Sequence, residues 1–145
     1  MKRQLKKIVC LALITSMILG QKTLKTTKNV TAKEKKDIKI AIDAGHQARG
    51  NFATEPVGPG SSTRKAKVAG GATGVASHVP EYKLTLAVSK KLQKELKARG
   101  YKVYMIRTKN NVNISNKKRA QLANKSGADI YIRIHADSSN SRAVT

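Results

Sequence analysis

Ile38-Lys39-Ile40-Ala41-Ile42-Asp43-Ala44-Gly45-His46 is the stretch on which the fold turns. Four of its first five residues are apolar, and Asp43-Ala44-Gly45-His46 then ends the run. A short apolar run stopped by turn residues reads as a buried strand entering a tight turn. A second run of the same kind, Ile130-Tyr131-Ile132-Arg133-Ile134 within 128–134, is followed directly by His135. Between them, Glu81 to Arg99 predicts a helix: Leu84, Val88, Leu92 and Leu96 recur at four-residue steps with Ala87 beside them, and Lys90, Lys91, Lys94 and Lys97 occupy the rest. Pro80 suits its first turn and Gly100 its stop. Glu81 falls where the helix dipole favours a carboxylate. Tyr101 to Arg107 predicts another strand, and Ile114 to Lys125 another helix closed by Ser126-Gly127. Residues 47–80 hold all three prolines and little periodicity. They read as one long loop, a length that in compact domains is often functional.

The order is strand, long loop, helix, strand, helix, strand. Strands alternating with helices imply an α/β fold, a largely parallel sheet flanked by helices on both faces. Right-handed crossovers bring the C-terminal ends of the strands to one edge, where open α/β sheets bind ligands.

Outside this block the chain changes character. Lys2, Arg3, Lys6 and Lys7 precede a dozen mainly apolar residues, Ile8 to Leu19, so residues 1–20 read as a signal peptide. The run is too short for an ordinary membrane span. Its cleavage site is weak, and an uncleaved anchor is the one route to a membrane. Residues 21–37 are rich in Lys and Thr and nearly devoid of apolar side chains, which predicts a flexible basic linker. Residues 38–145 form the folded unit, small for an α/β enzyme. The expected location is secreted, outside the cell.

The chain carries a net charge of +22, with +8 in the first 37 residues and +14 in the rest. A field spread this widely draws in polyanions, among them anionic wall polymers. Nucleic acid is excluded as a partner: there are four Tyr and one Phe, and no basic stripe alternates with them. The single cysteine, Cys10, lies in the apolar leader, so no disulfide forms within a mature chain.

Under this topology three side chains converge. His46 follows the first strand, His135 follows the last, and Glu81 opens the helix between. Two imidazoles, one carboxylate and an open fourth position for water make a known catalytic zinc arrangement. Spacing alone leaves the alternative open that both histidines are structural.

Asp43-Ala44-Gly45-His46, Val79-Pro80-Glu81-Tyr82-Lys83-Leu84, Arg119 with Ala123-Asn124, and Ala128-Asp129 through Ile134-His135-Ala136 resemble the successive motifs of the zinc-dependent N-acetylmuramoyl-L-alanine amidases. Gly45-His46-Gln47 with the long Gly/Pro loop most resembles the clostridial branch. The resemblance implies one Zn2+ held by His46, Glu81 and His135. It implies hydrolysis of the peptidoglycan amide between N-acetylmuramic acid and L-alanine. It also implies a catalytic glutamate on a later strand, which would lie beyond Thr145, and a sheet of about six strands. On that expectation the fold is incomplete here, and this chain is inactive or nearly so and poorly stable. The alternative is a catalytically empty fragment that binds zinc or cell wall.

Other polar residues have humbler readings. Asp43 is a candidate to support His46 through a hydrogen bond, or equally to form the turn. Asp137 is a candidate to touch zinc-bound water. His78, three residues before Glu81, reads as a loop histidine. Glu55 would bind substrate amines or face solvent. Glu95 pairs along its helix, and Arg119 makes a structural ion pair. The lysine face of the first helix reads as solvated, with wall polymers as the rival partner.

Overall fold

The computed structural model describes residues 32–136. The expected signal peptide, most of the expected linker, and Asp137 lie outside them. Five strands and two helices follow in order: β1 Lys39–Ala44, β2 Asn51–Pro56, β3 Arg64–Val68, α1 Glu81–Ala98, β4 Lys102–Met105, α2 Asn116–Lys125 and β5 Ile130–Ile134.

β1 is central in a parallel sheet ordered β4-β1-β5. A parallel strand covered on both faces reads as a nearly unbroken apolar run, and Ile40 to Ala44 are all buried. The two-residue period divides them between two cores. Ile40, Ile42 and Ala44 pack with Leu86 of α1 and Met105, flanked by Leu92 and Leu96. Ala41 packs on the other face with Ile106 and Ala123 of α2. The expected α/β architecture, a parallel sheet flanked by helices, is the one observed. Pairing Asp43 with Arg133 and Ala44 with Ile134 aligns the C-terminal ends of β1 and β5. The residues that follow both strands therefore leave the sheet side by side.

α1 corrects the expected apolar stripe. Leu84 and Val88 are exposed, while Glu81, Thr85, Leu86 and Ser89 are buried. Four-residue steps on a 3.6-residue helix drift by about 40° each. Leu92 and Leu96 face the core, so Leu84 and Val88 have rotated away from it. The helix ends as expected. Gly100 takes φ +89, its N–H donates to the Lys97 carbonyl, and the Tyr101 N–H donates to the Leu96 carbonyl. This double bond pattern closes a helix where only a left-handed residue fits.

Residues 47–80 are not a featureless loop. β2 and β3 form an antiparallel hairpin that the apolar pattern hid, because Glu55 and Val68 are its only buried side chains. It is held by polar contacts instead. Asn51 donates to Asn113 at 2.9 Å, Arg64 donates to the Thr54 hydroxyl and carbonyl, each at 2.9 Å, and the Ala48 N–H donates to the Asn110 carbonyl.

Inside the segment expected as linker, Lys35–Asp37 form one 3-10 turn. Lys33 Nζ lies 2.7 and 2.8 Å from the two oxygens of Asp129. The Lys33 hydrogen bond, with that from the Lys39 N–H, holds the Asp129 carboxyl below its ordinary range. An ion pair needs no apolar residue, which is why composition did not signal it.

Candidate functional site

The turn that carries His46 is held by two guanidinium groups. Arg107, just past β4, is 2% exposed. It donates to the carbonyls of Ala44 at 2.8 Å and Gly45 at 3.0 Å, and to that of Tyr82 in the first turn of α1 at 2.8 Å. Burial, then the nearby Arg119, lowers its pKa to about 10, so it stays charged at neutral pH. Arg119 of α2 is fully buried. It donates to the carbonyls of Ala44 at 2.9 Å and His46 at 2.8 Å, and pairs with Asp43. Three successive carbonyls at the end of β1 are thereby occupied, and His46 is held at φ 59. A non-glycine residue in this region costs about 1–3 kcal/mol and persists where its surroundings over-determine it.

Asp43 lies on the α2 side of the sheet by strand parity. It makes no direct bond to the His46 ring; it reaches His46 only through Arg119. Its other oxygen accepts the Tyr131 hydroxyl at 2.7 Å. Burial and this bond push the Tyr131 phenol upward. The structural ion pair expected of Arg119 is present. Arg107 was missed. Its one signal in the sequence is an arginine directly after an apolar strand, at the edge where the site lies.

His46, Glu81 and His135 come together. Each offers a ligand atom, and these atoms lie within 4.8 Å of one another. His46 Nε2 is 3.1 Å from Glu81 Oε2, and His135 Nδ1 is 3.0 Å from Glu81 Oε1. The two rings meet edge to face with centroids 4.7 Å apart. Glu81 and His46 are largely enclosed, while the His135 side chain is 41% exposed, so the cluster opens to solvent on that side.

Glu81 is further fixed by the backbone N–H groups of Ala72 at 2.9 Å and Ala136 at 3.0 Å. Burial works to raise its pKa. The bonds from Ala136, Ala72 and His135 outweigh it and hold the carboxyl below its ordinary range. Two glycines leave room for the rings. A Cβ on Gly71, at φ +83, would come within 2.9 Å of His46 Cγ and 3.1 Å of Glu81 Oε2. One on Gly45 would come within 2.7 Å of the His135 ring and 2.6 Å of the Ile134 carbonyl oxygen.

The tautomer of His46 bears on what the cluster holds. Its Nδ1 lies 2.9 Å from the Ala69 carbonyl oxygen, which only accepts, so Nδ1 carries the proton. Nε2 of a neutral ring then turns a lone pair toward a carboxylate oxygen. Two acceptors at this distance need a proton or a metal cation between them. A backbone carbonyl on the far nitrogen is the usual support of a metal-binding histidine. Tetrahedral zinc with ligands at about 2.0–2.2 Å sets its ligand atoms about 3.3–3.6 Å apart, close to the two separations that Glu81 makes, 3.0 and 3.1 Å, within a cluster spanning up to 4.8 Å. The donor set fits a metal ion.

The other candidates fall elsewhere. His78 is exposed at φ 53 in the loop and takes no part in the cluster. Glu55 does not face solvent. It is 5% exposed and accepts from the Lys117 N–H at 2.9 Å, capping α2 beside Ser115, the N-cap. Glu95 pairs with Arg99 at 2.8 Å, one helical turn away.

The family described as N-acetylmuramoyl-L-alanine amidase matches residues 40–145. The chain belongs to this family. No curated protein matches it. Among solved structures, it is similar to the N-acetylmuramyl-L-alanine amidase Ami1 of Mycobacterium smegmatis. That likeness is 22% identical over 76% of this chain and 51% of that one, with a TM-score of 0.68, and it speaks to the fold. It is 28% identical to the catalytic domain of CwlV, an amidase of Bacillus (Paenibacillus) polymyxa var. colistinus, over 73% of this chain and 49% of that one, TM-score 0.53. It is 29% identical to an N-acetylmuramoyl-L-alanine amidase of Clostridium difficile 630, over 74% and 48%, TM-score 0.52. The chain spans about half the length of these amidases.

Proposed function

We propose that this protein takes part in zinc-dependent hydrolysis of the amide between N-acetylmuramic acid and L-alanine in peptidoglycan. His46, Glu81 and His135 hold the single ion. The observation that supports this most is His46 Nε2 facing Glu81 Oε2 at 3.1 Å while Nδ1 is committed to Ala69. Zinc, when bound, acidifies a water and polarises an amide carbonyl. The chain's own residues do the rest. The Ala69 carbonyl fixes the His46 ring, Arg107 and Arg119 hold its turn, and the N–H groups of Ala72 and Ala136 keep Glu81 ionised and aimed. The clostridial branch belongs to the same reading and rests on Gly45-His46-Gln47 with the loop behind it.

A second reading, a centre that binds metal without turning over, has its own observation. Among the described residues every carboxylate other than Glu81 is engaged elsewhere. Glu34 pairs with Lys36 and Asp37 with Lys102; Asp43 holds Arg119, Glu55 caps α2, Glu95 pairs with Arg99, and Asp129 holds Lys33. None is placed to act as a general base, a role worth about 10²–10⁴ in rate. Asp137 lies outside the described residues. On this second reading the described residues hold zinc and supply no general base for turnover.

Zinc content, with and without His135→Ala, followed by a peptidoglycan amide-cleavage assay, tests both readings. One zinc per chain, lost in the variant, supports the centre. Failure to retain zinc removes both readings, and rapid turnover removes the second.

We place the protein outside the cell, at the wall, on the strength of residues 1–20. Among the described residues no helix is long and apolar enough to cross a membrane. The widespread positive charge suits anionic wall polymers.

A further inference from the structure

A groove of about 480 Å³ opens where the chain leaves the His46 turn, between the start of β2 and residues 111–113. Its wall includes Arg49, Gly50, Asn51, Phe52, Asn111 and Asn113. Phe52 is 74% exposed, although a phenylalanine side chain gains most from burial. Its ring lies against Gly50, where a Cβ would sit 3.1 Å from Phe52 Cζ, so the missing side chain lets the ring settle there. Asn51 spends its Nδ2 on Asn113 Oδ1 and its Oδ1 on the Ala53 N–H. Among the described residues nothing engages the Arg49 guanidinium, the Asn111 amide or the Asn113 Nδ2. The groove thus presents one apolar ring, unspent amide groups and one fixed positive charge, a few residues from His46.

We propose that this groove binds the acidic peptide part of the substrate, with Arg49 receiving a free carboxylate, Asn111 and Asn113 hydrogen-bonding the peptide amides, and Phe52 covering an apolar side chain. The identification of the peptide as a peptidoglycan stem rests on the function proposed above. The peptide is favoured over the glycan because the guanidinium fork matches a carboxylate in two parallel hydrogen bonds, and sugar hydroxyls offer no such anion. Paired amide donors and acceptors suit a peptide backbone. Arg49 is a specificity residue in this arrangement, set apart from the zinc ligands.

The test uses the metal-free full chain and NMR titration with three probes: L-Ala-γ-D-Glu with its free α-carboxylate, the same dipeptide as the α-amide, and tri-N-acetylglucosamine. A charge-assisted bond is worth enough to favour the acid over the amide by about tenfold. Arg49→Gln should erase that preference and leave the fold intact, since its side chain is exposed and uninvolved in packing. Phe52→Ala should weaken acid and amide alike. Equal affinity for acid and amide, a preference that survives Arg49→Gln, binding of the sugar in place of the dipeptide, or no binding of any probe would each overturn the proposal. Because no metal is present, loss of zinc binding elsewhere leaves this result standing. A chain that holds zinc but does not prefer the acid sinks only the groove.

Discussion

Glu81 and His135 lie 54 residues apart in the chain, yet Glu81 Oε1 stands 3.0 Å from His135 Nδ1. Glu81 opens α1 and His135 follows β5, so their meeting depends on the helix docking with its N-terminus at the carboxyl edge of the sheet. His46 arrives from β1, the strand beside β5. In the proposed centre, removing any one of the three leaves two ligands. His46→Ala and His135→Ala are each expected to weaken zinc binding by at least about 100-fold, beyond what loss of a supporting hydrogen bond costs. A zinc-chelator competition assay on the full chain reads this, and unchanged affinity in both variants would exclude a shared ion.

Glu81 also makes the metal-free fold sensitive to acid. Its folded pKa is depressed, so its contribution to stability is present above the ordinary carboxylate value and fades as pH falls through the folded value. Urea midpoints taken from pH 7 down through the carboxylate range should fall. Glu81→Gln should flatten part of that descent and abolish zinc binding. Asp129, held down by Lys33, supplies a separate part that Asp129→Asn removes. An identical descent in wild type and Glu81→Gln would count against the depressed carboxyl.

Asp43 and Arg119 are both fully buried. Breaking such a pair by removing one charge strands the other, at a cost of about 3–5 kcal/mol. Asp43→Asn should lower stability on that scale. Because Arg119 also holds the His46 carbonyl, zinc affinity should fall with it, although Asp43 touches no ligand atom. Denaturant titration and zinc competition together check this, and lost stability with undiminished zinc affinity would deny the relay.

Gly71 and Gly100 share a left-handed backbone, with φ +83 and +89. A Cβ on Gly71 meets His46 and Glu81, while one on Gly100 meets nothing within 4 Å. Both alanine variants should lose about 1 kcal/mol or more of stability from the backbone alone. Only Gly71→Ala should also impair zinc binding. The pair separates strain from obstruction.

Glu55→Ala should cost about 1 kcal/mol through loss of the α2 cap and leave zinc affinity untouched. Reduced zinc affinity in this variant would mean that the hairpin helps shape the centre.

Much of this molecule was legible from residue order. Ile38–Ile42 and Ile130–Ile134 are short apolar runs that read as strands, although only β1 is covered on both faces while Ile130 and Tyr131 of β5 are exposed, and Pro80, Glu81 and Gly100 mark the ends of α1 by chemistry local to those positions. The convergence of His46, Glu81 and His135 followed from topology, because parallel strands share one carboxyl edge. The hairpin, the true buried face of α1 and the role of Glu55 were hidden. Backbone pairing and polar contacts between distant segments leave no period in the sequence, and a four-residue repeat drifts off a 3.6-residue helix.

What residue order determined by itself is the kind of elements, their sequence and which side chains stand at their ends, since these depend on neighbours within a turn or two. What only the tertiary structure decided is the state of those side chains: which nitrogen of His46 is committed to Ala69, how Arg107 and Arg119 divide the carbonyls of residues 44–46, and why Asp43 acts at a distance. Hydrogen-bond partners are chosen by position in space, to within tenths of an ångström, and residue order carries no such distances.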